Sequence, residues 1–215
     1  MLRSLVGSEM CIRDRHSPGS YTYRLNISTW NLYLLLKHPH MEPKPTLIYL
    51  DTEFTGLNQA KPDLISIGLV DESGREFYAE LPESHWTVQC NEWVHFNVLP
   101  HLWGGEHIQS EASIREKLFE WIESVGSTCV IVTDCPDADF FMQLRRLLPQ
   151  WPNNLNNWPI LFSTWAMGDA KQPELQQLME SYYGPGKPLH HALHDAHALH
   201  LAVNYALENG WKPDL

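Results

Sequence analysis

The sequence predicts an α/β protein in which helices cover a mixed β-sheet. Three observations predict this class. Apolar runs of strand length occur at residues 47–50, 63–70 and 128–133, a turn sequence at residues 71–74 joins two strand segments, and longer amphipathic segments follow. Strand segments come first, and strands and helices then alternate. That order is typical of an α/β sandwich with a mixed sheet.

The first three strands are expected to form an antiparallel meander. The first is the apolar run 47–50, which Pro45 precedes and Gly56 follows. The second, residues 63–70, is equally apolar, and the third, residues 75–81, begins directly after the turn. The rest of the chain adds helices and shorter strands to this sheet.

The later elements follow from periodicity and from end signals. A short helix is expected within 91–99, and a longer one at 111–125 has Ser110 as its candidate N-cap and Gly126 as its stop. The remaining predicted elements are a strand at 128–133, a helix at 137–148, a strand at 160–163, a helix at 173–183 that opens with Pro173, and a final helix at 191–207.

Composition limits the classes of function. A chain of 215 residues with 43% hydrophobic residues suits one globular domain. Its net charge of −11 argues against broad binding of duplex DNA, which needs many contacts from Lys and Arg to phosphate. No apolar run reaches the roughly 18 residues of a membrane span. The four cysteines form no CxxC pair, so a reducing cytoplasm is the expected setting.

Residues 1–40 do not resemble the start of this domain. Residues 1–15 resemble a translated sequencing-adapter read, and the segment that follows has no clear period beyond the short apolar run 32–36. No small-residue cleavage site follows that run, which argues against a signal peptide. We expect residues 1–40 to be a non-native or disordered extension, Met41 to be the natural start, and 41–215 to be the functional domain.

Two carboxylates follow the first apolar run. Side chains alternate along a strand, so Asp51 and Glu53 point to the same side. Neighbouring carboxylates repel each other, and burying them without partners is costly. A hard divalent cation such as Mg²⁺ would resolve this conflict by taking carboxylate oxygens as ligands. A solvated acidic strand end is the alternative interpretation.

Further acidic residues occur at two later positions. Asp134, Asp137 and Asp139 lie where a strand gives way to a helix, where capping of the helix is the alternative role for the first two. Asp195 lies among small and apolar residues near the start of the last helix, in the segment His190-His-Ala-Leu-His-Asp195-Ala-His-Ala-Leu-His200. An acid on a largely apolar helix face needs a partner.

These motifs occur in an order that resembles a known family. Asp-Thr-Glu-Phe-Thr-Gly after a strand, an Asp that opens a middle helix, and His-x-Ala-x-x-Asp-Ala at the last helix are similar to the DnaQ-like 3′–5′ exonucleases of the DEDDh subgroup, which have the ribonuclease H-like fold. The resemblance covers about residues 46–205. The family that the chain resembles includes RNase T, oligoribonuclease, the proofreading subunit of bacterial DNA polymerase and short bacterial and phage exoribonucleases.

The resemblance implies the roles of particular residues. Asp51, Glu53 and Asp195 would be ligands of two Mg²⁺ or Mn²⁺ ions, and His190, five residues before Asp195, would be the general base. His191 is its adjacent competitor. The family's second acid follows a His-Asn pair by about five residues and a Phe by one. Here Asp134-Cys stands for His-Asn and Ala138 for Phe, so Asp139 is the expected ligand, with Asp137 and Asp134 as alternatives.

The expected reaction is two-metal hydrolysis that releases 5′-mononucleotides from a single-stranded 3′ end. His190 would accept the proton of the attacking water. Thr52, Phe54 and Thr55 would lie beside the terminal nucleotide, and Phe54 would stack on a base or wedge against it. Packing in the core is the alternative role for Phe54.

Three other interpretations share some of these features. His190 and His194 have the i, i+4 spacing of a zinc site but lack the Glu of HExxH, and ordinary helix-surface positions are expected for His191, His194, His197 and His200. Asp51-x-Glu53 faintly resembles a haloacid-dehalogenase-like phosphatase, but the expected second Asp and Lys are missing. A catalytically inactive nucleic-acid-binding module is a third class. RNA is favoured over DNA of the proofreading type, and a homodimer is left open.

Overall fold

The computed structural model describes residues 44–56, 61–86, 90–134, 139–162 and 172–212, without the side chains of residues 139 and 140. Five strands are described: β1 Thr46–Phe54, β2 Leu64–Asp71, β3 Glu76–Glu80, β4 Cys129–Thr133 and β5 Ile160–Leu161. The α-helices are α1 Glu92–Asn97, α2 Glu111–Glu123, α3 Asp139–Leu147, α4 Gln172–Tyr182 and α5 Ala192–Glu208. Each predicted strand and helix has a counterpart in this list.

The strands form one mixed sheet in the order β3-β2-β1-β4-β5. β1, β2 and β3 pair antiparallel, as the predicted meander requires, whereas β4 and β5 extend the sheet parallel to β1. The fold is therefore the predicted α/β class with a mixed sheet flanked by helices. β1 lies at the centre of the sheet, which buries residues 47–56.

β1 is longer than the apolar run predicted. The strand continues through Asp51 and Glu53 to Phe54, and its register with β2 places Asp51 opposite Gly68 and Glu53 opposite Ser66. An irregularity in this register lies between Glu53 and Phe54. The two acids therefore belong to the centre of the sheet and not to a turn, because hydrogen bonding to β2 extends the strand beyond its apolar part.

α5 covers one face of the sheet. A core cluster joins odd-numbered β1 residues to this helix, and its members include Leu47, Tyr49, Val130, Val132, Leu199 and Val203. A smaller cluster of Val70, Leu193 and Ala196 joins β2 to the beginning of α5. Since side chains alternate along a strand, Asp51 and Glu53 face the same side as Tyr49, which is the side that α5 covers.

End signals in the sequence fix two of the helices. The Ser110 hydroxyl accepts a hydrogen bond from the Ser113 N–H at the start of α2, and Asn91 caps α1 by accepting from the Val94 N–H. Gly126, with φ of 75°, follows α2 as predicted. Trp121 falls at the helical spacing of the inward residues of α2, but it is only partly buried and lies beneath the Arg75 guanidinium.

Residues 45–215 form one compact unit by their internal contacts. The predicted extension 1–40 and Met41 lie outside the described residues. Among the residues that are described, none of the helices combines the length and the apolar character that a membrane crossing requires.

Candidate active site

The carboxylates of β1 are buried on the face that α5 covers. Asp51 is 9% exposed and Glu53 is 5% exposed. Burial, and then the charge of Asp195, raise the pKa of Glu53 well above its usual range. A central strand has therefore placed two acids in a desolvated site, whereas their spacing in the sequence predicted only that they share a face and left a solvated strand end as the alternative.

The beginning of α5 brings the second part of the site. Asp195 lies in the first turn, and its Oδ2 accepts a hydrogen bond of 3.1 Å from the His190 N–H. Burial raises the pKa of Asp195. Hydrogen bonds from Tyr183 and from the main chain of His190 and His191 oppose the rise, and the charge of Asp134 adds to it. The carboxylate thus folds back over the N-terminal end of its own helix.

These elements converge on one point. Glu53, His190 and Asp195 each offer one ligand atom, and the three atoms lie within 4.8 Å of one another. The Asp195 Oδ1 and the His190 Nε2 are buried and have no hydrogen-bond partner within the described part of the chain. A divalent cation would satisfy the orphaned Asp195 Oδ1, which lies beside a second carboxylate of raised pKa. The residues present therefore fit a metal site, with Asp51 on the same face of β1.

His190 is held in an uncommon backbone conformation. Its φ of 62° is the one positive value outside glycine among the described residues. Its ring meets the Trp93 ring edge-to-face at 4.8 Å between centroids. Burial, and then the charge of His101, lower the pKa of His190 to about 4. The imidazole is therefore neutral at neutral pH, which a proton acceptor requires.

The second acid stays a prediction. Asp139 is the first residue of α3, as its expected place at a helix start requires, but its side chain is not described, and Asp137 lies outside the described residues. Asp134 directly follows β4. Its side chain reaches the surface, yet the protein around its carboxyl is dense enough for desolvation to raise the pKa to about 6. The charge of Asp134 raises the pKa of Asp195, so Asp134 lies within electrostatic reach of the site.

The predicted substrate contacts do not face open space. Thr52 alternates with Asp51 and Glu53 and so points to the opposite face of the sheet, where it is buried. Phe54 is 4% exposed, and the buried Thr55 hydroxyl accepts a hydrogen bond of 3.0 Å from the Asp63 N–H. Strand pairing beyond residue 51 explains this burial. In the described conformation Phe54 packs in the core, and contact of these three residues with a nucleotide stays a prediction.

Two residues beside the site were missed in the sequence. Tyr183 follows α4, and burial together with the charges of Asp195, Asp51 and Asp134 raises the pKa of its hydroxyl. Trp93, on the short helix α1, is 36% exposed and contacts His190. Neither carries a spacing signal, because loops and separate elements bring both residues to the site.

The expected surface positions of the other histidines are wrong for two of them. His191 is fully buried, its ring stacked on Tyr78 and in contact with Trp103, and His194 is 8% exposed. Both rings contact Trp103, which covers the first turn of α5, and helical periodicity alone does not reveal this contact. His197 is only partly buried and lies 2.6 Å from Glu76.

Comparison with known proteins places this geometry in a family. The RNase T exonuclease family model matches residues 48–202. No curated protein matches this sequence at a significant level. The exonuclease match gives no support to the phosphatase alternative.

Several solved structures have a similar fold. A 3′-exonuclease described in recognition of a histone mRNA stem-loop is 13% identical, with a TM-score of 0.56 over 86% of this chain and 71% of that chain. The nuclease domain of 3′hExo, described as a DEDDh family member bound to rAMP, is 13% identical, with a TM-score of 0.52 over 79% of this chain and 96% of that chain. Cell-death related nuclease 4 is 14% identical, with a TM-score of 0.52 over 78% and 65%.

At these identities the structural likeness shows a shared fold, and it agrees with the family match. The matched segment begins within β1 and ends within α5, so it includes Asp51, Glu53, His190 and Asp195. This chain belongs to the RNase T exonuclease family, within the DnaQ-like nucleases that have the ribonuclease H-like fold.

Proposed function

We propose that this protein is a metal-dependent 3′–5′ exonuclease that releases 5′-mononucleotides from single-stranded nucleic acid, with RNA as the preferred substrate. One observation carries the proposal. Glu53 lies far from His190 and Asp195 in the sequence, yet the three residues offer ligand atoms within 4.8 Å of one another. A buried acid pair beside a neutral imidazole suits metal-assisted hydrolysis of a phosphodiester.

The chain's own residues would hold two Mg²⁺ or Mn²⁺ ions. Asp51, Glu53 and Asp195 would be ligands, joined by a second-motif acid for which Asp139 is our first choice and Asp137 and Asp134 are alternatives. When bound, the cations would lower the pKa of a water molecule and offset the negative charge of the phosphate. The raised pKa of Glu53 supports this, because burial, and then the charge of Asp195, disfavour its ionised form, which a bound cation would stabilise.

His190 would accept the proton of the attacking water at its Nε2. That atom has no hydrogen-bond partner within the described residues, and the ring is neutral at neutral pH. The low pKa of about 4 alone would make a weak base. The negative charge of a bound phosphate would raise this pKa towards neutrality, so the imidazole would become a better acceptor when substrate is present.

A single strand is the substrate that the surroundings of the site support best. The net charge of −11 disfavours wide contact with duplex phosphates. Trp93 contacts His190 and keeps 36% of its surface exposed, so it offers an aromatic face for a base at the mouth of the site. A 3′-exonuclease described with an mRNA stem-loop and 3′hExo bound to rAMP share the fold, which supports RNA.

The second candidate substrate is DNA, as for a nuclease of proofreading type, since the motifs do not identify a group that reads the 2′-OH. The deciding experiment digests 5′-labelled single-stranded RNA and DNA of one sequence in parallel, with Mg²⁺ or Mn²⁺. We expect a ladder that shortens from the 3′ end, with RNA degraded faster. Activity that survives EDTA would contradict the metal mechanism, and faster loss of DNA would reverse the substrate preference.

Variants test the residues. Asp51→Ala or Asp195→Ala should abolish trimming, because each removes a carboxylate from the buried site. His190→Ala should slow hydrolysis by about 100-fold or more while Mn²⁺ binding is largely kept. His197→Gln is the matched control, since His197 lies on the same helix but contacts Glu76 of β3, which β2 separates from the carboxylates of β1. A larger loss from His191→Ala in a folded protein would identify His191 as the base.

A further inference from the structure

We propose that Gly68 is a positioning residue for the active site. Its missing side chain lets α5 begin directly against β2, and this close approach sets the distance from Asp195 and His190 to the carboxylates of β1. The inference rests on the proposed function, because it concerns the residues that would hold the cations. It assigns a role to a residue outside the motifs.

The contact between Gly68 and α5 is unusually close. A Cβ atom built on Gly68 would lie 2.4 Å from the Ala192 carbonyl carbon, 2.4 Å from the Leu193 nitrogen and 2.5 Å from the Ala192 oxygen. All three are backbone atoms, so no side-chain rotation can relieve the overlap. Glycine in a strand interior is unfavourable in itself, and close backbone approach is a recognised reason for its presence there.

The contact lies directly beside the proposed ligands. Gly68 is the register partner of Asp51 on β1, and its other neighbour in the sheet is Tyr78 on β3. Ala192 is the first residue of α5, and Asp195 lies within the same turn. The His190 N–H, just before the helix, donates to the Asp195 carboxylate. A shift of this turn would therefore carry His190 and Asp195 together, relative to Asp51 and Glu53.

The size of the shift follows from the overlap. Ordinary contacts of a Cβ atom begin at 3.4 Å, so a methyl group at residue 68 would require a displacement of about 1 Å. β2 is hydrogen-bonded on both sides, to β1 and β3, so the helix is the element that can move. Metal sites tolerate deviations of about 0.2 Å in ligand distances, and a displacement of about 1 Å costs roughly 100-fold in rate.

The test compares Gly68→Ala with Gly184→Ala. Gly184 is a matched control, because it precedes His190, its φ is ordinary, and no atom lies within 4 Å of a Cβ built on it. Each purified protein is titrated with Mn²⁺ by calorimetry, unfolded in urea without metal, and assayed on labelled RNA. We expect Gly68→Ala to unfold cooperatively but to bind Mn²⁺ about 10–100-fold more weakly, with activity that recovers partly at high Mn²⁺. Gly184→Ala should match the wild type.

A second variant covers the case in which Gly68→Ala does not fold. Ala196 lies one turn after Ala192 on α5 and is fully buried in the cluster with Val70 of β2. Ala196→Val would therefore push the helix away from β2 through a different contact. It should also weaken Mn²⁺ binding. A folded Gly68→Ala or Ala196→Val protein with the wild-type Mn²⁺ affinity would overturn the inference. Failure of both to fold would overturn it too, because the contact would then decide folding and not the ligand geometry.

The experiment separates this inference from the proposed function. If the wild-type protein neither binds Mn²⁺ nor trims an oligonucleotide, the proposed function fails. If the wild-type protein does both, and Gly68→Ala and Ala196→Val bind Mn²⁺ as tightly as the wild type, only the positioning role of Gly68 is wrong.

Discussion

Replacing Glu53 by Gln should stabilise the protein when metal is absent. Glu53 is 5% exposed, and one of its oxygens lies within 4.8 Å of an Asp195 oxygen. Both carboxyls have raised pKa values, for which burial is the largest cause. Two buried carboxylates without a counter-charge oppose folding, and the amide removes one of the charges while keeping the shape of the side chain.

The magnitude follows from the distance. Two unit charges at 4.8 Å repel by about 3.5 kcal/mol at an effective dielectric constant of about 20. Uptake of one proton by the pair relieves part of this, and the amide leaves its own donors to be satisfied. We therefore expect a gain in the free energy of unfolding of about 1–3 kcal/mol near pH 8, where both carboxyls would be ionised in the unfolded chain.

The sign of the pH dependence is fixed by the direction of the shift. Because the folded-state pKa of Glu53 and of Asp195 lies above the unfolded value, the folded protein binds more protons. These two carboxyls should therefore contribute more to the stability of the metal-free wild type as the pH falls from the raised values towards their ordinary values of 4.5 and 3.8, and the comparison with Glu53→Gln separates this contribution from that of the buried histidines, whose lowered pKa values act in the opposite direction. Glu53→Gln should gain less over the same range.

Urea unfolding in EDTA, followed by circular dichroism, measures the effect. Adding Mn²⁺ should reverse the ranking, since the wild type would gain stability from the bound ion and the variant would not. Asp71→Asn is the control, because Asp71 is also a buried acid but its pKa is lowered, whereas that of Glu53 is raised. Its carboxylate accepts from Ser73 and from Arg75, so this variant should lose about 1.5–3 kcal/mol. A metal-free Glu53→Gln protein that is less stable than the wild type would refute the reasoning.

Three further predictions concern other parts of the chain. Asp139→Asn should reduce Mn²⁺ affinity more than Asp134→Asn, and calorimetry that ranks them in reverse would make Asp134 the second ligand. Glu80→Gln should destabilise the protein by about 1–3 kcal/mol, because the buried Glu80 accepts from the Trp103 and Gly104 N–H groups; thermal unfolding measures it, and an unchanged midpoint would contradict it. Removing residues 1–40 should leave activity and folding unchanged, and an unfolded truncation would make the extension part of the domain.

Much of the fold could be predicted from local patterns. Apolar runs, helical periodicity and a capping residue such as Ser110 act over a few residues, so the sequence reveals them directly. The extent of β1 could not be predicted in this way, because its last residues are polar and are held in the sheet by pairing with β2. Trp121 likewise fits the helical period, but its partner Arg75 lies on a separate segment.

By itself the sequence determined the α/β class and the family, and it predicted the acids at residues 51, 53 and 195 together with His190 as site residues, because each motif depends on spacing within a short segment. The tertiary structure alone decided which side chains surround these groups. Burial of His191 and Phe54, the approach of Trp93 and Tyr183, and the contact of Gly68 with Ala192 join residues from different elements. The physical reason is that helix docking on a sheet depends on atoms brought together by the whole fold, which no local period encodes.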